Sequence, residues 1–224
     1  LAVSPSSHEL WGIRHSGGTP TLVWSAAPYD SLKDLVRFDG GEEILGLAAN
    51  SPGTHLAAVL HKPNGEQSIV VIECERIKRG QDVTYAVVSD RGSPENPSWS
   101  FDSKTIFWNA YTNGVSNIYR KHVDSATVEP VSHTLNGLFK PVYLNNGLLF
   151  AFEFSSDGFY PVIIPNITAK RLPAIKYLGQ DVYEKYPRLA ALAVKPPTVA
   201  ENQKELSPPS EYSGLSHLKV VSLI

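Results

Sequence analysis

The sequence predicts an all-β fold, a β-propeller assembled from four copies of one small antiparallel sheet, and three observations carry that prediction. Glycines recur at a fixed phase, short apolar strands flank each of them, and no long helical pattern interrupts the first 175 residues. With Ser4, Ser51, Ser100 and Leu144 as landmarks, the repeats follow one another at roughly 45 residues, a blade-like period. Fourteen residues past each landmark stands Gly18, Gly65, Gly114 or Gly158, and eighteen past each stands Leu22, Ile69, Ile118 or Val162.

Each element follows from this frame. The first strand of a hairpin is read at Leu10–Ile13, Leu56–Leu60, Ile106–Trp108 and Leu148–Phe152. The turn glycine comes next, and Asn64-Gly65, Asn113-Gly114 and Asp157-Gly158 supply the positive φ that tight hairpins need. The returning strand is read at Thr21–Trp24, Ser68–Ile72, Asn117–Arg120 and Tyr160–Ile164. A hairpin of constant length holds its register, because a slip of one residue turns every core side chain outward. Variation is expected in the loop before the outermost strand, long in the second repeat (Glu75–Asp82) and short in the fourth. Four strands per repeat give blades near residues 1–44, 45–94, 95–139 and 140–175. A β-sandwich also has short strands, but nothing in a sandwich requires a glycine at one phase of every repeat.

Composition narrows the function classes. Hydrophobic residues make up 42% and aromatic residues 10%, enough for a packed core. Lys and Arg total 20 against 22 Asp and Glu, so the basic footprint of a nucleic-acid binder is missing. No apolar run approaches the length of a membrane helix, and Leu1 does not open a signal peptide. The single cysteine, Cys74, rules out an intrachain disulfide and a cysteine-rich zinc site. With no methionine anywhere, a processed, excised or incompletely represented chain is expected.

The third repeat is the most explicit. It reads Asn96-Pro97-Ser98-Trp99-Ser100-Phe101-Asp102-Ser103-Lys104-Thr105-Ile106-Phe107, then Asn113-Gly114-Val115-Ser116-Asn117-Ile118-Tyr119. It resembles the TolB-like, WD-related propeller repeat, P-x-W-S-P-D-G-K-x-I-x-F followed by an N-G-x-x-x-I-Y hairpin. Phe101 stands in place of the proline and Ser103 in place of the glycine. The first repeat keeps Val3-Ser4-Pro5 and the second Ser51-Pro52-Gly53, while the fourth, Lys140-Pro141-Val142-Tyr143, has lost the serine and aspartate. The resemblance spans about residues 1–175 and implies a larger propeller of about six blades. The remaining blades would then come from the same gene product or from another chain. Trp99 and Pro97 are expected in the layer between sheets, and Asp102 as the cap of the turn between the first two strands.

Beyond Lys176 the pattern changes to a Pro-rich exit segment or linker, residues 176–224. A single helix is read at Arg188–Ala193. Paired prolines follow at Lys195-Pro196-Pro197 and Ser207-Pro208-Pro209-Ser210, and a strand-like end runs from Tyr212 to Ile224. Glu211-Tyr212-Ser213-Gly214-Leu215 resembles the junction by which some bacterial envelope propellers precede an outer-membrane β-barrel, so the resemblance implies a membrane-embedded barrel downstream and a periplasmic or cell-envelope location.

The chemistry-bearing residues do not assemble into a motif. G-x-S-x-G, H-E-x-x-H and a phosphate-binding glycine loop are all missing. The histidines (His8, His15, His55, His61, His122, His133 and His217) read as turn residues of the repeats rather than as metal ligands, and Cys74 as a small buried hydrophobe. Asn166-Ile167-Thr168 spells a glycosylation sequon. The sequence therefore points to no catalytic, cofactor-binding or metal-binding residue. Its first functional expectation is a non-catalytic scaffold or protein- and peptide-binding module of the bacterial envelope. The alternative is the regulatory propeller of a larger prolyl-oligopeptidase-like or tricorn-like peptidase.

Overall fold

Apolar alternation on both sides of a turn glycine folds into hairpins, and each hairpin acquires further strands at its flanks. The computed structural model describes residues 1–38, 40–144, 147–169, 182 and 185–190. The first sheet is β1 (Ala2–Val3), β2 (Leu10–Ser16), β3 (Thr19–Ser25) and β4 (Lys33–Arg37), hydrogen-bonded in that order. The second is β5 (Glu43–Ala49), β6 (His55–His61), β7 (Gln67–Glu73) and β8 (Ala86–Ser89). The third is β9 (Glu95–Trp99), β10 (Thr105–Ala110), β11 (Asn117–His122) and β12 (Glu129–Pro130). The fourth has three strands among the described residues: β13 (Leu138–Leu144), β14 (Leu148–Ser155) and β15 (Gly158–Pro165). Every pairing is antiparallel, as in a meander of propeller blades.

The sheets stack face to face through three cores. Trp11 and Leu22 of the first sheet meet Leu56, Ala58, Leu60, Val70 and Ile72 of the second. Ala57, Val59 and Ile69, on the other side of the second sheet, meet Ile106, Trp108 and Ala110 of the third. Phe107 and Ile118 then meet Leu138, Leu149 and Ala151 of the fourth. Trp11, Phe107 and Trp108 are wholly buried. Trp99, expected to fill this layer, is only half-buried, because it stands at the inner rim, where its indole Nε1–H donates to the Ala48 carbonyl of the second sheet at 3.0 Å.

Two expectations of register need correction. The residue equivalent to Ser4 and Ser100 is Asn50, not Ser51. The backbone N–H of each donates five residues on, to Glu9, His55 and Thr105, and the three side chains are 0, 2 and 5% exposed. Asn50 Oδ1 accepts from the His55 N–H as Ser100 Oγ accepts from that of Thr105. The hairpins are also not of one length. Pairing closes at Ser16↔Thr19 and Ser155↔Gly158, but at His61↔Gln67 and Ala110↔Asn117 in the middle repeats. Gly158 pairs as the first residue of its returning strand whereas Gly18 lies inside its turn, so Val162 points toward the third sheet while Leu22, Ile69 and Ile118 point toward the following one.

Two fasteners were not visible in the sequence. The variable loop of the second repeat opens with helix α1 (Cys74–Lys78), which carries Lys78 to Glu9 at 2.5 Å and over the Trp11 and Trp24 rings at 5.5 and 5.2 Å. Burial works against the Lys78 ammonium, but Glu9 and Glu75 outweigh it and hold its pKa above the usual value. Cys74 is buried as expected, and desolvation pushes its thiol up to about 12. After β15 the chain leaves its own sheet and reaches the outer edge of the third. The Ala169 N–H donates to the Pro130 carbonyl, and Arg120 binds Glu129, Asn166 and Thr168.

The chain divides into two compact units, Leu1–Lys176 and Tyr177–Ile224. In the second, Pro187 opens the short helix α2 (Pro187–Ala190), a favourable first position for a residue without an N–H. The rest of the helix read at Arg188–Ala193, both proline pairs, the Glu211–Leu215 junction, the strand-like end and His217 lie outside the described residues.

Two outcomes test this account. Trp108→Ala should cost about 3–5 kcal/mol, as large aromatic truncations in cores do, whereas Phe101→Ala, at a side chain 65% exposed, should stay within about 0.5 kcal/mol; equilibrium urea denaturation measures both. Asp102 Oδ1 accepts from Ser100 Oγ at 2.6 Å and from the Lys104 N–H at 3.1 Å, which together hold its carboxyl below the usual range. A depressed carboxylate stabilises the fold above its unfolded pKa of about 4, and that contribution disappears as pH falls through the folded value. Asp102→Asn should therefore be less stable than the parent at neutral pH, and the gap should close on acidification.

Candidate functional site

The innermost strands of the second, third and fourth sheets share a defect. Each is interrupted by a β-bulge, with register shifts between Leu45 and Ala48 of β5, between Glu95 and Ser98 of β9, and between Phe139 and Val142 of β13. At each bulge one residue adopts left-handed backbone: Gly46 at φ 55°, Asn96 at 52° and Lys140 at 52°. Gly46 suits its place twice over, because a Cβ there would also approach Val59 Cγ2 to 3.2 Å. Asn tolerates this region, but for lysine it is uncommon and must be held by the surroundings.

The holder is Asn109 of β10, 0% exposed. Its Oδ1 accepts from Asn96 Nδ2 at 2.9 Å and from the Lys140 N–H at 3.2 Å. Its Nδ2 donates to Ser116 Oγ at 3.2 Å, and that hydroxyl donates to the Leu138 carbonyl at 2.8 Å. One buried amide thus fixes two neighbouring bulges, and its own polar atoms are satisfied.

All three left-handed residues line one cavity of about 550 Å³. Its apolar wall includes Leu45, Val59, Phe139, Phe152 and Phe159, with the Phe139 and Phe159 rings edge to face at 5.4 Å. Its polar lining is Glu95, Lys140, His61 and Gln67, the last fixed by its Nε2 donating to the Pro94 carbonyl at 3.0 Å. A second cavity of about 340 Å³ lies at the far ends of the innermost strands, lined by Ala2, Ala48, Ser98 and Tyr143 among others. The first is the richer site. Its volume lies in the range of ligand pockets, and it combines an aromatic wall with both signs of charge.

Of the residues singled out in the sequence, only His61 lines this mouth. His8 and His15 are exposed, His55 borders a separate cavity with Trp99 and Lys121, His122 is exposed, and His133 meets Asn113 at 3.3 Å. Among the described residues no three His, Cys, Asp or Glu side chains gather as a metal site would require. Sequence reading missed Asn96, Lys140 and Asn109 as mouth residues. Asn96-Pro97 and Lys140-Pro141 share an X-Pro spelling that marks two of the bulges, but nothing local marks Asn109 as their support.

Asn109→Leu removes the shared acceptor at nearly constant volume and leaves buried donors without partners. It should destabilise the chain by about 2–4 kcal/mol in urea denaturation; an unchanged midpoint would mean that the bulges support themselves.

No family model matches the sequence, and no curated protein matches it. Solved structures do. TolB from Acinetobacter baumannii aligns with a TM-score of 0.61 at 13% identity, over 75% of this chain and 41% of that one. A putative TolB from Agrobacterium tumefaciens gives 0.57 at 14%, over 69% and 53%. Prolyl oligopeptidase B from Galerina marginata, bound to a 35mer hydrolysis and macrocyclization substrate, gives 0.56 at 9%, over 76% and 26%. The chain spans about half or less of the length of each of these structures. Its stacked antiparallel sheets and these likenesses together show that the chain has the β-propeller fold of the TolB structures.

Proposed function

We propose that this chain is a non-catalytic propeller module that docks an extended protein or peptide segment at the mouth framed by Gly46, Asn96 and Lys140. The cavity carries the reading. Phenylalanine side chains form one wall, carboxylate and ammonium groups stand beside them, and three bulges break the regular ladder at the rim. An extended peptide brings apolar side chains, charges and unpaired backbone groups, the three features such a rim accommodates. In this reading residues 1–175 form the propeller part and 176–224 its exit segment. Placement in the bacterial envelope or periplasm rests on the TolB-like third repeat and on the two TolB structures.

Likeness to the prolyl oligopeptidase structure favours a second reading, the regulatory propeller of a larger peptidase. The two differ in what the full polypeptide encodes: a hydrolase domain in the second, alternating barrel strands in the first.

The mouth is tested by selecting peptides on the folded chain from a phage-displayed library and measuring their affinity by fluorescence anisotropy. Phe139→Ala should weaken the selected peptides by about 1–3 kcal/mol, as loss of an aromatic anchor does, while Phe101→Ala, remote from this cavity, should leave them unchanged. Equal binding by both variants would reject the mouth as the docking site.

A further inference from the structure

We propose that a crevice between the second and third sheets binds a single-chain amphiphile with an anionic head, a medium-chain alkyl carboxylate. The crevice encloses about 310 Å³ and shares no lining residue with the mouth. Deeper between the same two sheets the packing is tight: Ala57, Val59, Ile69, Ile106, Trp108 and Ala110 are all 4% exposed or less. The interface opens where β8 meets the end of β11, because β8 carries a bulge. Ser89 pairs with Ile69 and Val87 with Val70, so Val88 has no partner of its own, and a bulge bends its strand. Val71, Val87, Val88 and Val123 line the space, and the Trp99 ring, fixed by its bond to the Ala48 carbonyl, completes the wall. Val87 and Val123 are 56 and 47% exposed, so apolar surface stays open to water there.

The polar side chains of the lining are Lys121, His55 and Ser103, with no carboxylate among them. Lys121 is half-buried, makes no ion pair among the described residues, and reaches only the Val88 carbonyl, at 3.5 Å. An ammonium partly withdrawn from water with so little in return gains most from an anion. Ser103 Oγ accepts from the Ser51 N–H at 3.1 Å and keeps its own proton to donate. Thr54 Oγ1 accepts from Asn50 Nδ2 at 3.0 Å and lies 3.0 Å from His55 Nδ1. With the Thr54 proton donated to Nδ1, the neutral imidazole carries its own on Nε2 and is a further donor. Three donors without a carboxylate beside them select an anionic head over an ammonium or an alcohol.

The volume sets the length of the tail. A methylene occupies about as much space as a water molecule, about 30 Å³, so the crevice holds on the order of ten such groups. That suits a chain like decanoate and is too small for a two-chain phospholipid. A peptide segment fits less well, because it brings amide groups along its whole length and the valine walls supply no side-chain partners for them.

Isothermal titration calorimetry of the full chain with hexanoate, octanoate and decanoate tests the site. Decanoate should bind saturably, and each added methylene should tighten binding about fourfold. Lys121→Gln should weaken decanoate about tenfold or more, as loss of a charged hydrogen-bond partner does. Ala86→Phe, which fills the crevice from the exposed strand β8, should abolish binding, with urea midpoints showing that both variants are folded. Decylammonium, with the same tail and the opposite charge, should not bind the parent chain, a comparison that needs no variant. Absent or non-saturating uptake of decanoate overturns the proposal, as does equal affinity for decylammonium or unchanged decanoate binding by Lys121→Gln. Loss of decanoate binding in Phe139→Ala, with binding retained in Lys121→Gln, would place the amphiphile at the mouth and overturn it as well.

Discussion

Every interior sheet of this protein is apolar on both faces, and a sheet with two apolar faces can leave water only by lying between two others. In β6, Leu56, Ala58 and Leu60 point one way and Ala57 and Val59 the other, all at 4% exposure or less. The hairpins of the second and third sheets have no solvent side, so neither is a stable unit by itself. Burial of each large aliphatic side chain is worth about 1.5–3 kcal/mol, and that gain appears only when the neighbouring sheet is in place. Stability is therefore a property of the interfaces between blades, as in other repeat architectures.

The polar links between sheets are subordinate to this stacking and depend on it. Ser6 meets Ser51, and the Ser51 N–H donates to Ser103 Oγ, so the first turns of three successive blades are tied along one rim. Asn109 performs the same service at the opposite end of the inner strands. Because the third and fourth sheets exclude water around it, its amide binds Asn96 and Lys140 strongly enough to hold backbone in the left-handed region. Strain at the mouth is thus sustained by the apolar core beneath it, and the cavity takes its shape from the same packing.

Insertions are used as fasteners. The loop that the second repeat adds before its outermost strand forms α1 and delivers Lys78 to the carboxylate of Glu9 and to two tryptophan faces of the first sheet. The segment after β15 returns to the third sheet, where Arg120 holds it through Asn166 and Thr168. The sequon asparagine thus already has a structural partner. In both cases a segment of variable length ties one blade to its predecessor across the outer edge.

The fold was legible in the sequence because propeller order is written locally. Alternating apolar residues and a glycine at the hairpin turn are consequences of φ and of side-chain direction, which depend on near neighbours alone, and all eight hairpin strands form around the residues read for them. Asp102 likewise caps its own turn with near neighbours. Spacing misled at two places: Asn50 takes the position expected of Ser51, and Val162 takes the opposite face because Gly158 is already paired in its returning strand whereas Gly18 lies within its turn, an offset of one residue that reverses the facing. The mouth was not legible. Gly46, Asn96, Lys140 and Asn109 come from three different repeats, and their hydrogen bonds exist only after the sheets have stacked. Sequence by itself determined which residues form strands and turns, since local sterics decide that; tertiary structure alone decided which side chains converge, since convergence depends on how whole sheets pack.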